Sequence, residues 1–141
     1  MLFLTRHKYF ADLSERHILN DISDHLEAIS QAYNSVRVAA FADLSVQLVL
    51  AEATKAEIGQ EHLDSMCVQT IQAFEGPLQS EDNPLISQTT EVATLQENGV
   101  LISLRTDIDS TSALFLLCDF DIDVEGVVEM SRLVLHEMEA I

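Results

Sequence analysis

The feature that most constrains this fold is a stretch of apolar, strand-like segments between positions 91 and 119. It divides into three segments, Glu91–Gln96, 100–106 and 113–118, and Asn98-Gly99 separates the first two. Asn-Gly between alternating segments is a strong β-hairpin signal, because both residues tolerate the positive φ that a type I′ turn requires. The sequence therefore predicts a three-stranded meander with its first turn at Asn98-Gly99.

That turn also predicts the register of the hairpin and its two faces. Leu95 would lie opposite Ile102, and Ala93 opposite Leu104. The predicted core face carries Ala93, Leu95, Val100, Ile102 and Leu104. The other face is half polar and carries Val92, Thr94, Gln96, Leu101, Ser103 and Arg105. The third segment does not alternate, which predicts a central strand covered on both faces.

Three other segments have the 3.6-residue period of an amphipathic helix. The first begins near Leu13, with Ser14 as a candidate N-cap, and its apolar positions are Ile18, Ile22, Leu26, Ile29 and Tyr33. The second has a wide stripe of Leu63, Met66, Cys67, Thr70, Ile71 and Phe74, and Gly76-Pro77 ends it. The third starts near Asp123, a candidate cap, and repeats through Val124, Val127, Ser131, Val134 and Met138.

Two further strands are predicted at 36–42 and 46–51, joined by a turn at 43–45. The predicted order is α-β-β-α-β-β-β-α, which gives one α+β domain over residues 1–141. Its three layers would be one five-stranded, mostly antiparallel sheet with helices on both faces. Residues 1–13 form an extension without a structural assignment, and the long loop at 78–89 is the segment we expect to be mobile.

Charge limits the classes of partner. The 141 residues include 24 acidic and 7 basic side chains, for a formal charge of −17. A nucleic-acid ligand is excluded by the lack of a basic surface, and an anionic membrane is disfavoured for the same reason. The N-terminal apolar run is too short for a signal peptide, and no stretch approaches membrane-spanning length. With Cys67 and Cys118 inside apolar segments, we expect a reduced, cytoplasmic protein.

The sequence contains no complete motif for catalysis, a cofactor or a metal. A calcium loop starting at Asp121 would need a glutamate at its twelfth position, which is Arg132. A zinc-protease helix starting at His136 would need a second histidine at Ala140. There is neither a glycine-rich phosphate loop nor a nucleophile elbow, and Cys67 lies on an apolar helix face. We therefore expect no enzyme, no cofactor and no bound metal.

The element order and several residues resemble the Roadblock/LC7 family. The similar parts are Ala-Asp43-Leu-Ser and Leu48-Val-Leu-Ala51 in the first hairpin, Gln60-Glu-His-Leu-Asp64 at the next helix, and Leu114-Phe-Leu-Leu117 in the last strand. The resemblance covers the chain from about Val36 onward. It departs from the family in the first hairpin turn, where Ser45-Val46 stands in place of the usual glycine.

The resemblance implies a non-enzymatic module that forms homodimers through an edge strand and the middle helix. Family members act as scaffolds and regulators, often of small Ras-like GTPases. Two other classes stay open. Acidic type III secretion-like chaperones have similar size and charge but usually place three strands between their first two helices. A profilin-like small-ligand sensor would need a pocket between sheet and helix.

The predicted dimer interface combines an open strand edge with the middle helix. The strand contributes Glu91, Val92, Thr94 and Gln96, and the helix contributes Leu63, Met66, Cys67, Thr70 and Phe74. An outer strand has unpaired N–H and C=O groups that a second copy could satisfy across a two-fold axis. Proline at Thr94 would test this pairing, provided that the N–H of Thr94 points away from the neighbouring strand.

Overall fold

The computed structural model describes residues 12–55, 57–75 and 89–139, with side chains described from residue 21 onward. Three helices and five strands follow one another in the predicted order, which confirms the α-β-β-α-β-β-β-α arrangement. They are α1 (Asp12–Ala32), β1 (Val36–Asp43), β2 (Leu48–Thr54), α2 (Gln60–Glu75), β3 (Glu91–Gln96), β4 (Gly99–Leu104), β5 (Ser112–Cys118) and α3 (Val124–Glu139).

The five strands form one antiparallel sheet in the order β2-β1-β5-β4-β3. β5 lies at its centre and all seven of its residues are buried, which confirms the prediction from its continuous apolar sequence. β2 and β3 are the outer strands. Two strands, not three, separate α1 from α2, so the arrangement expected of a secretion chaperone is not the one observed.

The helices cover the sheet on both faces. α2 packs on one face, where Leu63, Met66 and Cys67 meet Leu101, Phe115 and Leu117. On the opposite face, α1 lies over β1 and β2, and α3 packs beside α1 and on β4. The largest fully buried side chains of that second layer are Ile22, Leu26, Ile29, Ile102, Leu104, Leu114, Leu116 and Leu135. The result is a three-layer domain with two separate apolar cores.

The helix starts differ in how well the sequence predicted them. The Asp123 cap of α3 is confirmed: Gly126 N donates to Asp123 Oδ1 at 3.1 Å, and Val127 N to Asp123 O at 2.9 Å. The Ser14 cap of α1 is wrong, because the helix already includes Asp12. Most of the 1–13 extension, the Gly76-Pro77 stop and nearly all of the 78–89 loop lie outside the described residues.

The β3–β4 hairpin turns one residue earlier than predicted. Gln96 pairs with Gly99 and Leu95 with Val100, so the turn residues are Glu97 and Asn98. Neither Asn98 nor Gly99 has a positive φ, which overturns the type I′ assignment. Side chains keep their predicted faces, because each pairing partner is displaced by two residues, a full period of the strand.

Gly99 is required by its contact with the neighbouring strand β5 and not by the conformation of the turn. A Cβ at this position would collide with the backbone O of Cys118 in β5 and lie 2.8 Å from Nη2 of Arg37. Close approach of β4 to β5 therefore excludes any side chain here.

The β1–β2 turn is also displaced, to residues 44–47. Gln47 has a φ of 53°, a left-handed conformation that closes the turn without a glycine. Pairing then jumps from Phe41–Ala51 to Ala42–Val49, which leaves Leu50 as the extra residue of a β-bulge. Simple alternation from residue 46 could not reveal this bulge.

Candidate interaction site at the edge of the sheet

The backbone of β3 determines which groups its outer edge offers. Arg105 N donates to Thr90 O at 3.0 Å, so residues 90 and 105 form a hydrogen-bonded pair. Such pairs alternate along an antiparallel ladder. In the observed register, the backbone N–H of Thr94 therefore points to Leu101 of β4. The N–H and C=O groups of Ala93 point outward instead, so the condition attached to proline at Thr94 is not met.

The two faces of β3 are covered to different extents. Val92, Thr94 and Gln96 are half-buried on the α2 side. Glu91, Ala93 and Leu95 are exposed on the other side, and Leu95 is 79% exposed. The prediction that Ala93 and Leu95 belong to the core is therefore wrong. The physical reason is that α3 packs on β4 and does not extend across β3.

The α2 residues of the predicted interface all pack inside their own chain. Leu63, Met66, Cys67, Thr70 and Phe74 are at most 2% exposed. The hydroxyl groups of Thr70 and Ser103 lie 3.0 Å apart and satisfy each other within this core. The apolar stripe is thus used by the chain's own sheet, and only the outer side of α2 is available to a partner.

A groove follows the junction between the outer side of α2 and β3. Its volume is about 570 Å³, and its lining is Gln69, Gln72, Ala73, Val92, Ala93, Thr94 and Leu95. Gln96 Nε2 donates to Gln69 Oε1 and ties the strand to the helix. The edge of β3 and one side of α2 thus form a single continuous surface.

Arg132 of α3 holds the start of β3 in place. Its Nη2 lies 2.6 Å and its Nε 3.1 Å from Oε2 of Glu91. Its Nη1 donates to Arg105 O at 2.6 Å, and its Nη2 also reaches Thr90 O at 3.3 Å. One guanidinium group therefore fixes the side chain and backbone of the residues where the edge strand begins.

Arg105 supports the same segment from inside the sheet. Its Nε and Nη2 donate to Thr89 O at 3.0 and 2.7 Å. Its guanidinium carbon lies 4.4 Å from the ring centre of Phe74, a cation–π contact. Burial lowers the pKa of Arg105, although Glu75, Asp107 and Asp109 oppose that shift. Neither arginine belongs to a sequence motif; the only signal in the sequence is that basic residues are rare in this acidic chain.

The basic side chains that the structure describes all have internal partners. Besides Arg105 and Arg132, Arg37 Nε lies 2.8 Å from Oδ1 of Asp119, and Lys55 donates to Tyr33 O at 2.9 Å. These four cationic side chains therefore bind groups within their own chain and stabilise the fold. The many exposed carboxylates leave the outer surface strongly negative.

The described thiols belong to the packing of the two cores. Burial raises the pKa of Cys67, and nearby Asp64 and Asp43 raise it further. Burial raises the pKa of Cys118 to about 12. Both cysteines are free and protonated at neutral pH, a state in which a thiol is a poor nucleophile. Within the described ranges, no three His, Cys, Asp or Glu groups are arranged to hold a metal ion.

None of the helices in the described ranges has the length and apolar character needed to cross a membrane.

Roadblock/LC7 domains and the proteins MglB and MglC are among the solved structures that superimpose on this chain. A Roadblock/LC7 domain from Streptomyces avermitilis superimposes with a TM-score of 0.67 at 11% identity, covering 84% of this chain and 94% of that one. The gliding protein MglB from Thermus thermophilus gives 0.69 at 15% identity, with 86% and 90% covered. MglC from Myxococcus xanthus gives 0.59 at 11% identity, with 85% and 98% covered.

No protein-family model matches the sequence, and no curated protein matches it significantly. The similarity is therefore one of three-dimensional structure at low sequence identity. It covers most of the chain, and it agrees with the resemblance that the sequence shows from Val36 onward. The chain has the fold of the Roadblock/LC7 domains.

Proposed function

We propose that this chain is a non-enzymatic adaptor that forms a homodimer through the edge of β3 and regulates a small Ras-like GTPase. The observation that carries the proposal is the regular outer edge of β3 in a chain with the Roadblock/LC7 fold. Adaptors of this kind act by presenting surfaces rather than by reacting with a substrate, and the protonated, buried thiols favour that reading.

Self-pairing follows from the hydrogen-bonding groups of the edge. The backbone groups of Glu91, Ala93 and Leu95 point away from β4 and lie at the outside of the sheet. Antiparallel pairing with the same strand of a second copy would satisfy them in both chains at once. The sheet would then continue across the two-fold axis, with Val92, Thr94 and Gln96 of both copies beside the outer sides of the two α2 helices.

The predicted α2 residues have an indirect part in this proposal. Leu63, Met66, Cys67, Thr70 and Phe74 anchor the helix on its own sheet, so that the helix presents Gln69, Gln72 and Ala73 to the groove beside β3. The interface we propose therefore uses the β3 residues directly and the buried α2 stripe as their support.

A GTPase partner is proposed from resemblance and charge. The Roadblock/LC7 resemblance implies regulators of small Ras-like GTPases, and MglB, one of the similar structures, is a gliding protein that also occurs with a tetrameric arrangement. The negative surface would accelerate the approach of a partner with a basic contact region. Such acceleration falls as salt screens the charges.

The test is binding to Ras-like GTPases from the same host, each loaded with GDP or with a non-hydrolysable GTP analogue. We expect one nucleotide state of one GTPase to bind more tightly. Its on-rate should fall as the Debye length is reduced from about 30 to 8 Å. Equal, weak binding of every GTPase in both states would contradict GTPase regulation, while the mass of the free adaptor tests the dimer separately.

A further inference from the structure

The face of β3 that points away from α2 is left open by the chain's own helices. Glu91, Ala93 and Leu95 are all exposed on it, whereas every residue of the adjacent β4 is buried. At 79%, Leu95 has the highest exposure of any large apolar side chain in the described part of the chain. A strand face with an exposed leucine that no other described element covers is unusual in a three-layer domain.

Pairing of two copies would double this open face. Side-by-side antiparallel strands in one sheet can only be related by a two-fold axis that is normal to the sheet. Both copies then keep α2 on one side and α1 with α3 on the other. The Ala93 and Leu95 side chains of both copies would form one apolar strip, bordered on each side by an α3 helix.

The width of that strip follows from standard spacings. Strands lie about 4.8 Å apart, which places β1 and β2, and α1 above them, about 19 Å from the axis. Because α3 packs beside α1 at a helix spacing of about 9 Å, α3 lies about 10 Å from the axis. The two α3 helices would therefore be about 20 Å apart, which leaves room for one further helix packed against both.

Charge defines what that further helix must carry. Arg132 reaches Glu91, so residues three, four and seven positions before it share the α3 side that faces β3. These residues are Glu129, Val128 and Glu125, and both glutamates are exposed. Arg132 is already neutralised by Glu91. The walls of the strip are therefore acidic, while its floor is apolar.

We propose that the dimer binds one amphipathic helix of a partner protein over this strip, with the apolar side of the helix on Leu95 and Ala93 and its lysines or arginines against the acidic α3 walls. The inference rests on the proposed β3 pairing, since a single chain supplies only half of the floor and one wall. The binding mode is that of a helix in an apolar groove, which reads anchors three and four residues apart.

The test uses a fluorescein-labelled model peptide of about 18 residues, long enough for five helical turns, built from leucine and lysine with all leucines on one face. A second peptide has glutamate in place of every lysine. Binding to the full chain is followed by fluorescence anisotropy. The variants are Leu95→Ser and, as a matched control, Leu133→Ser, which removes a leucine that is 65% exposed on α3.

We expect one lysine peptide per dimer, with affinity reduced about tenfold or more by Leu95→Ser and by no more than about twofold by Leu133→Ser. The glutamate peptide should bind at least about tenfold more weakly. Equal binding to Leu95→Ser and wild type would overturn the proposal. So would a wild-type assembly larger than a dimer that Leu95→Ser reduces to a dimer, because a second dimer would then occupy the strip.

Sedimentation of the same samples tests the β3 pairing separately from the helix site. A dimer that binds no lysine peptide overturns the helix site and leaves the β3 pairing intact. A monomer overturns the pairing itself, and with it the strip.

Discussion

The two outer strands of this sheet, β2 and β3, differ in how regular and how charged their free edges are. β2 has a bulge at Leu50, follows a turn with Gln47 in the left-handed region, and has the exposed charge of Glu52 near its middle. β3 pairs with β4 over six consecutive residues without a shift in register, and its one charged side chain, Glu91, is bound to Arg132. Bulges and free charges hinder pairing with another sheet, whereas a regular strand edge can pair readily.

The two edges differ in local regularity although both lie at the outside of the sheet, and regularity favours pairing with another strand. Both strands are outermost, yet of the two only β3 has evenly spaced backbone groups along its free edge. The arginines at the start of β3 maintain that regularity, because they fix the residues that lead into the strand. Substitutions that change one edge and spare the other can therefore test the comparison.

The largest expected effect on stability comes from proline substitutions in β3, because the backbone N–H groups of this strand point alternately toward β4 and outward. Thr94→Pro should remove the bond to Leu101 and destabilise the fold by more than about 2 kcal/mol. Ala93→Pro changes a residue whose N–H points outward and should cost much less. Urea unfolding of the two variants measures this difference. Equal stability would mean that the register of the hairpin is not the one described.

A glycine pair tests the packing behind the same edge. Gly99→Ala should destabilise the protein by about 2–3 kcal/mol, because its methyl group would collide with the backbone of Cys118. Gly59→Ala is the control, since a Cβ there has no heavy atom within 4 Å, and its effect should stay below about 1 kcal/mol, the usual size of a changed helix cap. The free energy of unfolding gives both values. A harmless Gly99→Ala would show that β4 and β5 can move apart.

A smaller effect is expected from the arginine that holds the start of β3. Arg132→Met removes charge-assisted hydrogen bonds to Glu91, Thr90 and Arg105 and should lower stability by about 1–2 kcal/mol. Dimer dissociation should become easier, since the edge is less well fixed. Glu91→Gln is the milder control. An unchanged dissociation constant for Arg132→Met would remove Arg132 from the account of the edge.

The smallest expected effect is a pH dependence of stability that comes from His25, which lies on the opposite side of the sheet from α2. His25 Nδ1 lies 2.6 Å from Asp21 O and its Nε2 lies 2.8 Å from Oε2 of Glu137, so both nitrogens face acceptors. Only the protonated ring can donate to both. Burial lowers the pKa of His25, but the hydrogen bonds to Asp21 and Glu137 raise it by more. The pKa of His25 is therefore raised from its ordinary value of 6.5.

This contribution to stability is complete below pH 6.5, the ordinary pKa that applies to the unfolded chain, and is lost as the pH rises through the higher folded value. Thermal unfolding should show Tm falling by about 1–2 °C across that window, because the group is partly exposed. His25→Gln should remove the slope, whereas substitution of the exposed His136 should leave it. A slope that persists in His25→Gln would assign it to another group.

Sequence patterns predicted the element order and which side chains of the hairpin share a face, because both depend on periodicity alone. The turn itself was misplaced, since Asn98-Gly99 matches a type I′ rule while Gly99 is needed for contact with β5. That one-residue error reverses which N–H groups of β3 point outward. The stripe on α2 was recognised, but a pattern of apolar residues cannot tell whether its own sheet or a partner covers Leu63 and Phe74.

The mass of the protein in solution, measured for wild type, Ala93→Pro and Glu52→Pro at high micromolar concentration, tests the central claim most directly. Lys55 N donates to Arg37 O at 2.9 Å, so these residues form a hydrogen-bonded pair. Because such pairs alternate along β2, the N–H of Glu52 points outward, just as the N–H of Ala93 points outward on β3. We predict dimers for wild type and Glu52→Pro and a folded monomer for Ala93→Pro. A monomeric wild type, or a dimer lost in Glu52→Pro and kept in Ala93→Pro, would contradict the account.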